Sequence, residues 1–460
     1  MEQKVNGKWA VIGDKRFFRK LTVIALPVAL QGFLNTAINM ADTVMVGSLG
    51  ETSLAAVGLA NKVFFVFTLL IFGIVSGSGI LAAQYWGNKD IMNIRKVLGL
   101  ALILGLSGSL LFVIPSLVCP GLLMRIFTTS DSTIKLGAMY LIIVCISYPF
   151  TAVTNIYVAM LRAVGRARIP VFISCVTLLV NMTCNYILIY GKFGAPALGV
   201  AGAAYATLIS RVIETVIILC IVYLGKTEIA ARISEMLGYS KIFIKQYITT
   251  VTPVIANEFI WGLGVTMYSL AYGRMGDEAV SAITIASTIQ DLASVLFQGI
   301  STAAAVVLGN EMGAGCLDLA EKYAKKFILL QLILSVISAI ACVAFRWSFI
   351  SIYNISDTVA NHVSTCLIIS ACYMPFKMFN YVNIVGILRS GGDTKACLIL
   401  DCIGVWLIGI PMAFGGGLVL KLPITIVYAM VMTEEIFKFI LGYKRYRSKK
   451  WLRNLTSELT

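Results

Sequence analysis

Apolar residues in this chain run in long blocks, and the polar breaks between blocks are short. Twelve blocks reach the roughly 20 residues that a membrane-crossing helix needs. They lie at about 21–47, 54–85, 96–123, 134–161, 169–190, 197–224, 243–273, 279–309, 323–349, 360–387, 397–418 and 423–443. The pattern predicts an all-α polytopic membrane protein with twelve transmembrane helices. Only one inner break is both long and polar, from Gly225 to Lys245. It predicts a linker between two six-helix lobes, with room for a short surface helix.

The second half repeats the first about 226 residues later. Pro27 returns as Pro253, Gly47 as Gly273, Gly50 as Gly276, Gly87 as Gly313 and Pro149 as Pro375. After one residue of slip, Leu161-Arg162 returns as Leu388-Arg389, Gly165 as Gly392 and Pro196 as Pro423. Glycine and proline constrain the backbone, so their recurrence in register predicts a recurring fold. An even number of spans per repeat means both halves enter the membrane from the same side. The repeats are then parallel, related by an axis along the membrane normal, and a site between two rocking lobes is expected. The expected domains are 1–224 for the first lobe, 225–242 for the linker, 243–443 for the second lobe and 444–460 for a basic tail.

Composition agrees. Mean hydropathy is +0.89. Charged residues make up 13% of the chain, against about 25% in soluble proteins. The net charge of +15 follows topology. Lys4, Lys8, Lys15, Arg16, Arg19, Lys20, Arg162, Arg166, Arg168, Lys322, Lys325 and Lys326 fall on one side of the predicted membrane, and few basic residues fall on the other. This positive-inside bias puts both termini in the cytoplasm and the protein in the cytoplasmic membrane. The tail from Lys444 to Trp451 is expected on anionic lipid headgroups. No soluble basic domain is visible for nucleic acid. Gly225-Lys226-Thr227 lacks the leading glycine of a phosphate loop, so nucleotide is not expected. Eleven cysteines without a C-x-x-C pair indicate neither a disulfide framework nor a zinc site. The single histidine, His362, gives no basis for hydrolytic chemistry, so the chain is not read as an enzyme and no cofactor is expected.

Charges within spans are costly and mark function by default. Asp42 lies within the first span. The alternative is a structural carboxylate bonded to Asn39 or Thr43. Asn181 and Asn185 stand one helical turn apart and share a face; their alternative is ordinary interhelical hydrogen bonding. Glu258 follows Pro253 and Asn257 in the seventh span, with Lys377 as a conceivable partner, and Asp401 lies in the eleventh. Lys62 and Asp291 are taken as the other mid-span charges, a candidate gate pair on repeat-equivalent spans. Gln31, Asn35, Asn257 and Tyr268 are candidates for a substrate cleft. Met40, Met45 and Met267 would suit varied apolar cations, although such residues are more often core packing.

Several stretches resemble the multidrug and toxic compound extrusion (MATE) family. They are Asn39-Met40-Ala41-Asp42-Thr43-Val44-Met45-Val46-Gly47, Gln84-Tyr85-Trp86-Gly87, Leu161-Arg162-Ala163-Val164-Gly165, Gly199-Val200-Ala201-Gly202 and Leu388-Arg389-Ser390-Gly391-Gly392-Asp393-Thr394. The resemblance implies an antiporter that exports organic, cationic amphipathic compounds against a proton or sodium gradient, working as a monomer. It matches Asp42 to the family's first-helix aspartate and Glu258 to a glutamate that some members use for coupling. Asn185 stands where the family often has an aspartate. One carboxylate is thereby lost, which leaves room for one proton, or one sodium ion on Asp42 and amide oxygens. Asp42 or Glu258 would hold that ion. A flippase for a lipid-linked saccharide in the same superfamily is the alternative reading.

Overall fold

The computed structural model describes residues 14–457 other than 354. Lys4, Lys8 and the last residues of the expected tail lie outside the described residues. Among the described residues the protein is all-α. It is a multi-pass membrane protein of twelve long helices in two lobes. The first six are α1 (Lys15–Gly47), α2 (Glu51–Gly87), α3 (Ile91–Val118), α4 in two pieces (Asp131–Cys145 and Tyr148–Ala163), α5 (Arg168–Tyr190) and α6 (Val200–Leu224). The second six are α7 (Lys241–Gly273), α8 (Asp277–Gly313), α9 (Leu317–Ile350), α10 (Asp357–Leu388), α11 (Thr394–Val419) and α12 (Ile424–Arg447).

Ten of the twelve are long and apolar enough to span unaided. The two exceptions have physical causes. The pieces of α4 meet at 47°, because Pro149 has no N–H to continue the helix and its ring clashes with the preceding turn. Helix α12 is less apolar because Glu434, Glu435 and Lys438 sit in its middle. Helices α10 and α11 also contain π-helical turns, at Val382–Leu388, Ile403–Gly409 and Gly415–Val419. Such turns are rare and gather at functional sites.

The repeat is visible in the backbone. Helices α1 and α7 are both 33 residues long, and α2 and α8 are both 37. Gly50 and Gly276, just before α2 and α8, have φ of 105° and 115°. Gly165 and Gly392, after α4 and α10, have φ of 81° and 75°. Side chains rarely adopt these angles, so each paired glycine is required by the same turn.

The chain divides into two compact units, but not at the linker. One unit runs Leu30–Phe259 and the other takes the chain up to Ala29 and from Ile260 onward. The divisions therefore fall inside α1 and α7. Close packing explains this. In the first unit, Cβ atoms added at Gly73 and Gly77 of α2 would stand 2.7 and 2.9 Å from the Cα atoms of Ile255 and Val251 on α7. Tyr247 of α7 shares a buried hydrogen bond of 2.7 Å with Ser78. In the second unit, Phe17 of α1 is buried against Tyr323 and Phe327 of α9, at ring distances of 5.2 and 5.0 Å. A side chain at Gly299 of α8 would collide with the backbone of Ala25.

The linker is not a loose strap. Its short helix Ile233–Met236 sits so close to α3 that a side chain at Gly99 would strike Met236. Arg95 reaches Glu235 at 2.8 Å, and Arg166 reaches Glu228 at 2.8 Å. The tail also departs from expectation. Its tryptophan, Trp451, is fully buried, with Gly391 against its backbone and Leu455 on Gly392. Arg445 holds Asp393 through two bonds of 2.6 and 2.7 Å, and Lys449 reaches Glu321 at 2.7 Å. The indole takes a closed apolar socket in preference to a wet surface, while Lys444, Arg447 and Lys450 stay exposed.

Candidate functional site

In the first unit, three helices bring one carboxylate and two amides together. Asn185 of α5 donates its amide N–H to the Asp42 carboxylate of α1. It also donates to Asn181 Oδ1 at 3.1 Å, and Asn181 donates to Ser210 Oγ of α6 at 3.3 Å. The shared face expected of Asn181 and Asn185 is present, and both are buried. The carboxylate is not tied to Thr43, whose hydroxyl donates to the Asn39 carbonyl at 2.8 Å. Asn185 Oδ1 is buried without a partner. With the Asp42 carboxylate, it offers oxygen ligands to a monovalent cation.

A cavity of about 280 Å³ opens beside this group. Asp42, Asn181, Phe64, Tyr140, Thr207 and Arg211 are among its walls. The Nη1 of Arg211 is engaged by Glu214 at 2.8 Å. Arg211 and Glu214 are mid-span charges that the sequence reading passed over. Arg211 shares the cavity wall with Asp42, and Phe64 and Tyr140 give it aromatic faces.

The remaining candidates scatter. Asn257 and Glu258 are buried, and they belong to the unit Leu30–Phe259 that also holds Asp42. Glu258 lies on α7, the first helix of the second six, whose first half packs closely against the glycines of α2. Gln31 is buried and accepts a hydrogen bond from Arg162, while Asn35 is exposed. Lys62 on α2 and Asp291 on α8 are both exposed along their helices. Lys377 donates to Gln290 at 3.1 Å, and Gln290 donates to Tyr428 at 2.7 Å.

The second unit holds a denser network. Lys438 of α12 lies 3.4 Å from Glu434 and 3.8 Å from Asp401 of α11. Tyr268 of α7 donates to the other Glu434 oxygen at 2.5 Å. Tyr268 is therefore a member of this network, and it is part-buried. Asn380 of α10 donates to the backbone and side chain of Glu435, both at 2.8 Å. The π-helical stretch of α11 makes the space: side chains at Gly404 and Gly409 would collide with Lys438 and with the Tyr268–Glu434 pair. Of this group, Asp401 and Tyr268 were anticipated, and Glu434, Glu435 and Lys438 were missed. The signal was present as three charges within five residues of a predicted span.

Comparison with known proteins bears on what two such lobes do. The MatE family model matches residues 27–187 and again 253–414. The chain belongs to the MATE family. Both matches fall on the repeats, one per half. Among curated MATE relatives, the probable multidrug resistance protein NorM of Thermotoga maritima is 25% identical over 435 residues, covering 94% of this chain and 93% of its own. The uncharacterized transporter YisQ of Bacillus subtilis is 22% identical over 444 residues, covering 96% of each. Among solved structures, an outward-facing multidrug resistance MATE family transporter of the MOP superfamily superposes with a TM-score of 0.85 at 20% identity, covering 94% of this chain and 95% of that one. Likeness at that identity establishes the shared MATE fold. Membership makes this protein a transporter.

Proposed function

We propose that this MATE protein exports organic, cationic amphipathic compounds from the cytoplasm by antiport against an inward-moving proton or sodium ion. The observation that carries the reading is Asp42, a membrane-embedded carboxylate on the wall of a cavity that also has aromatic walls. A carboxylate there can hold either the coupling cation or a cationic substrate, but not both at full strength. Arrival of the ion from outside displaces the substrate, and the lobes rock so that the ion-loaded site faces inward. Inside, the ion leaves and the exchange reverses. Each charge moved with the membrane potential contributes about 2.3 kcal/mol per 100 mV. Glu258, buried in the same unit, is the second proposed coupling carboxylate. The basic residues on one side of the spans support cytoplasmic termini and a place in the cytoplasmic membrane. We take the working form to be a monomer.

The test is efflux from proteoliposomes under separately imposed proton and sodium gradients. Asp42→Asn should abolish uphill efflux while the protein stays folded and still binds substrate. Uphill efflux by this variant at the wild-type rate would end the proposal. Glu258→Gln assigns the second carboxylate by the same measurement.

A further inference from the structure

The second unit also holds a groove of about 410 Å³ that the coupling reading leaves without a task. Arg445, near the end of α12, bonds Asp393, just before α11, so the last turns of one helix lie beside the first turns of the other. Helical spacing builds the walls there. Ala396, Ile399, Leu400 and Ile403 of α11 stand at i, i+3, i+4 and i+7 and form one apolar stripe. Leu441, Lys444, Arg445 and Ser448 of α12 repeat that spacing. The groove is therefore apolar along α11 and basic where α12 ends.

The charge of that basic end is a second, independent observation. No carboxylate lines the groove. Arg445 is already matched by Asp393 through its two bonds. Lys444 and Lys450 are exposed, and among the described residues neither has an ion-pair partner. Two positive charges thus face the groove unmatched. The place of Lys450 is set by its neighbours on both sides. Lys449 takes a φ of 55° and reaches Glu321 at 2.7 Å. Trp451 is fully buried, and its indole N–H donates to the Tyr446 carbonyl at 3.1 Å. The chain is turned back and fastened, which sets Lys450 on the groove wall. Ser448 spends its hydroxyl proton on the Arg445 carbonyl at 2.7 Å, so the two lysines alone are left to meet a ligand.

We propose that this groove is a binding site for an anionic phospholipid. An acyl chain lies along the α11 stripe and covers Ile399, which is 57% exposed. The phosphodiester sits between the ammonium groups of Lys444 and Lys450. Basic pockets between membrane helices recognise anionic headgroups in this way. A zwitterionic lipid carries its own cation to the two lysines and gains less from them. The site is more specific than the attraction of a basic tail to a charged surface, because Arg447 is exposed on the same helix but does not line the groove.

The test is native mass spectrometry of the full-length protein in detergent, titrated with phosphatidylglycerol or with phosphatidylcholine of the same acyl chains. The wild type should bind one phosphatidylglycerol in clear preference to phosphatidylcholine. Replacing both lysines, Lys444→Gln with Lys450→Gln, should weaken phosphatidylglycerol by about 25-fold, or about fivefold per lysine, and leave phosphatidylcholine unchanged. Arg447→Gln should bind as the wild type does. If the double variant fails to fold, Ile399→Trp decides, since it keeps every charge and fills the apolar wall: the preferred phosphatidylglycerol should be lost. Equal affinity of the wild type for both lipids overturns the proposal, and so does wild-type binding by the double variant or by Ile399→Trp. A loss in Arg447→Gln as large as in the double variant also overturns it, in favour of diffuse surface attraction. Displacement of the lipid by inorganic phosphate would assign the lysines to a free anion instead. Because no transport is measured, failure of the efflux reading and failure of this site are separable.

Discussion

The two polar groups of this protein solve the same problem in opposite ways. In Leu30–Phe259, one carboxylate meets two amides and a hydroxyl across α1, α5 and α6, beside a cavity of about 280 Å³. In the other unit, three carboxylates, a lysine and a tyrosine are packed around glycines of a π-helical stretch. The first arrangement keeps open space beside its carboxylate, which suits a site that exchanges ligands. The second spends its space on internal pairing, which leaves little room for a ligand. The same repeat thus carries two different chemistries, because the turn-forming glycines recur while the mid-span polar residues do not.

Removing the lysine should break the comparison most sharply. Lys438→Met leaves buried carboxylates without their counter-charge, and we expect a loss of about 3–5 kcal/mol. Asp42→Asn should cost under about 1 kcal/mol, since an amide replaces a carboxylate held by a neutral donor. Thermal unfolding of both variants in detergent checks the difference, and equal stabilities would collapse it. Packing supplies the next contrast. Gly409→Val intrudes on the Tyr268–Glu434 pair and should cost about 1–3 kcal/mol. Gly58 is on the cavity wall, and a Cβ there meets nothing within 4 Å. Gly58→Ala should therefore leave the melting temperature nearly unchanged.

What could be read in advance follows from how each signal is averaged. Hydropathy summed over 20 residues finds a span, so the twelve-helix count was legible. The same sum hides charges inside the span, which is why Glu434, Glu435 and Lys438 went unnoticed, along with Arg211 and Glu214. Asp42, Asn181 and Asn185 were legible because helical spacing alone puts the two asparagines on one face. The close packing of α7 on α2 and the buried Trp451 were not. They depend on contacts between residues far apart in sequence, such as Gly73 with Ile255 and Gly391 with Trp451.

The smallest expected effect concerns the linker. The hydrogen bond from Arg166 holds the Glu228 carboxyl below its usual range. The backbone N–H of Arg232, helped by the Arg95 charge, does the same for Glu235. Both folded values are depressed, so the pinning is complete above about pH 4.3, the free glutamate value, and is lost as pH falls through the lower folded values. A spin label at exposed Ile233 should stay immobile at neutral pH and gain mobility only in strong acid. Mobility already high at pH 7 would show that the linker is free.

The divisions inside α1 and α7 also set a timetable for synthesis. Residues 15–29 belong with α8 and α9, which leave the ribosome roughly 300 residues later. At about 5–20 residues per second, the start of the chain waits on the order of 15–60 s for its partners. The first unit is likewise incomplete until the ribosome has passed Phe259, beyond the linker. The start of the chain and the early half of α7 therefore fold with partners from the other half of the sequence, and the surfaces of α1 that await them must be sheltered by lipid or insertion machinery in the meantime.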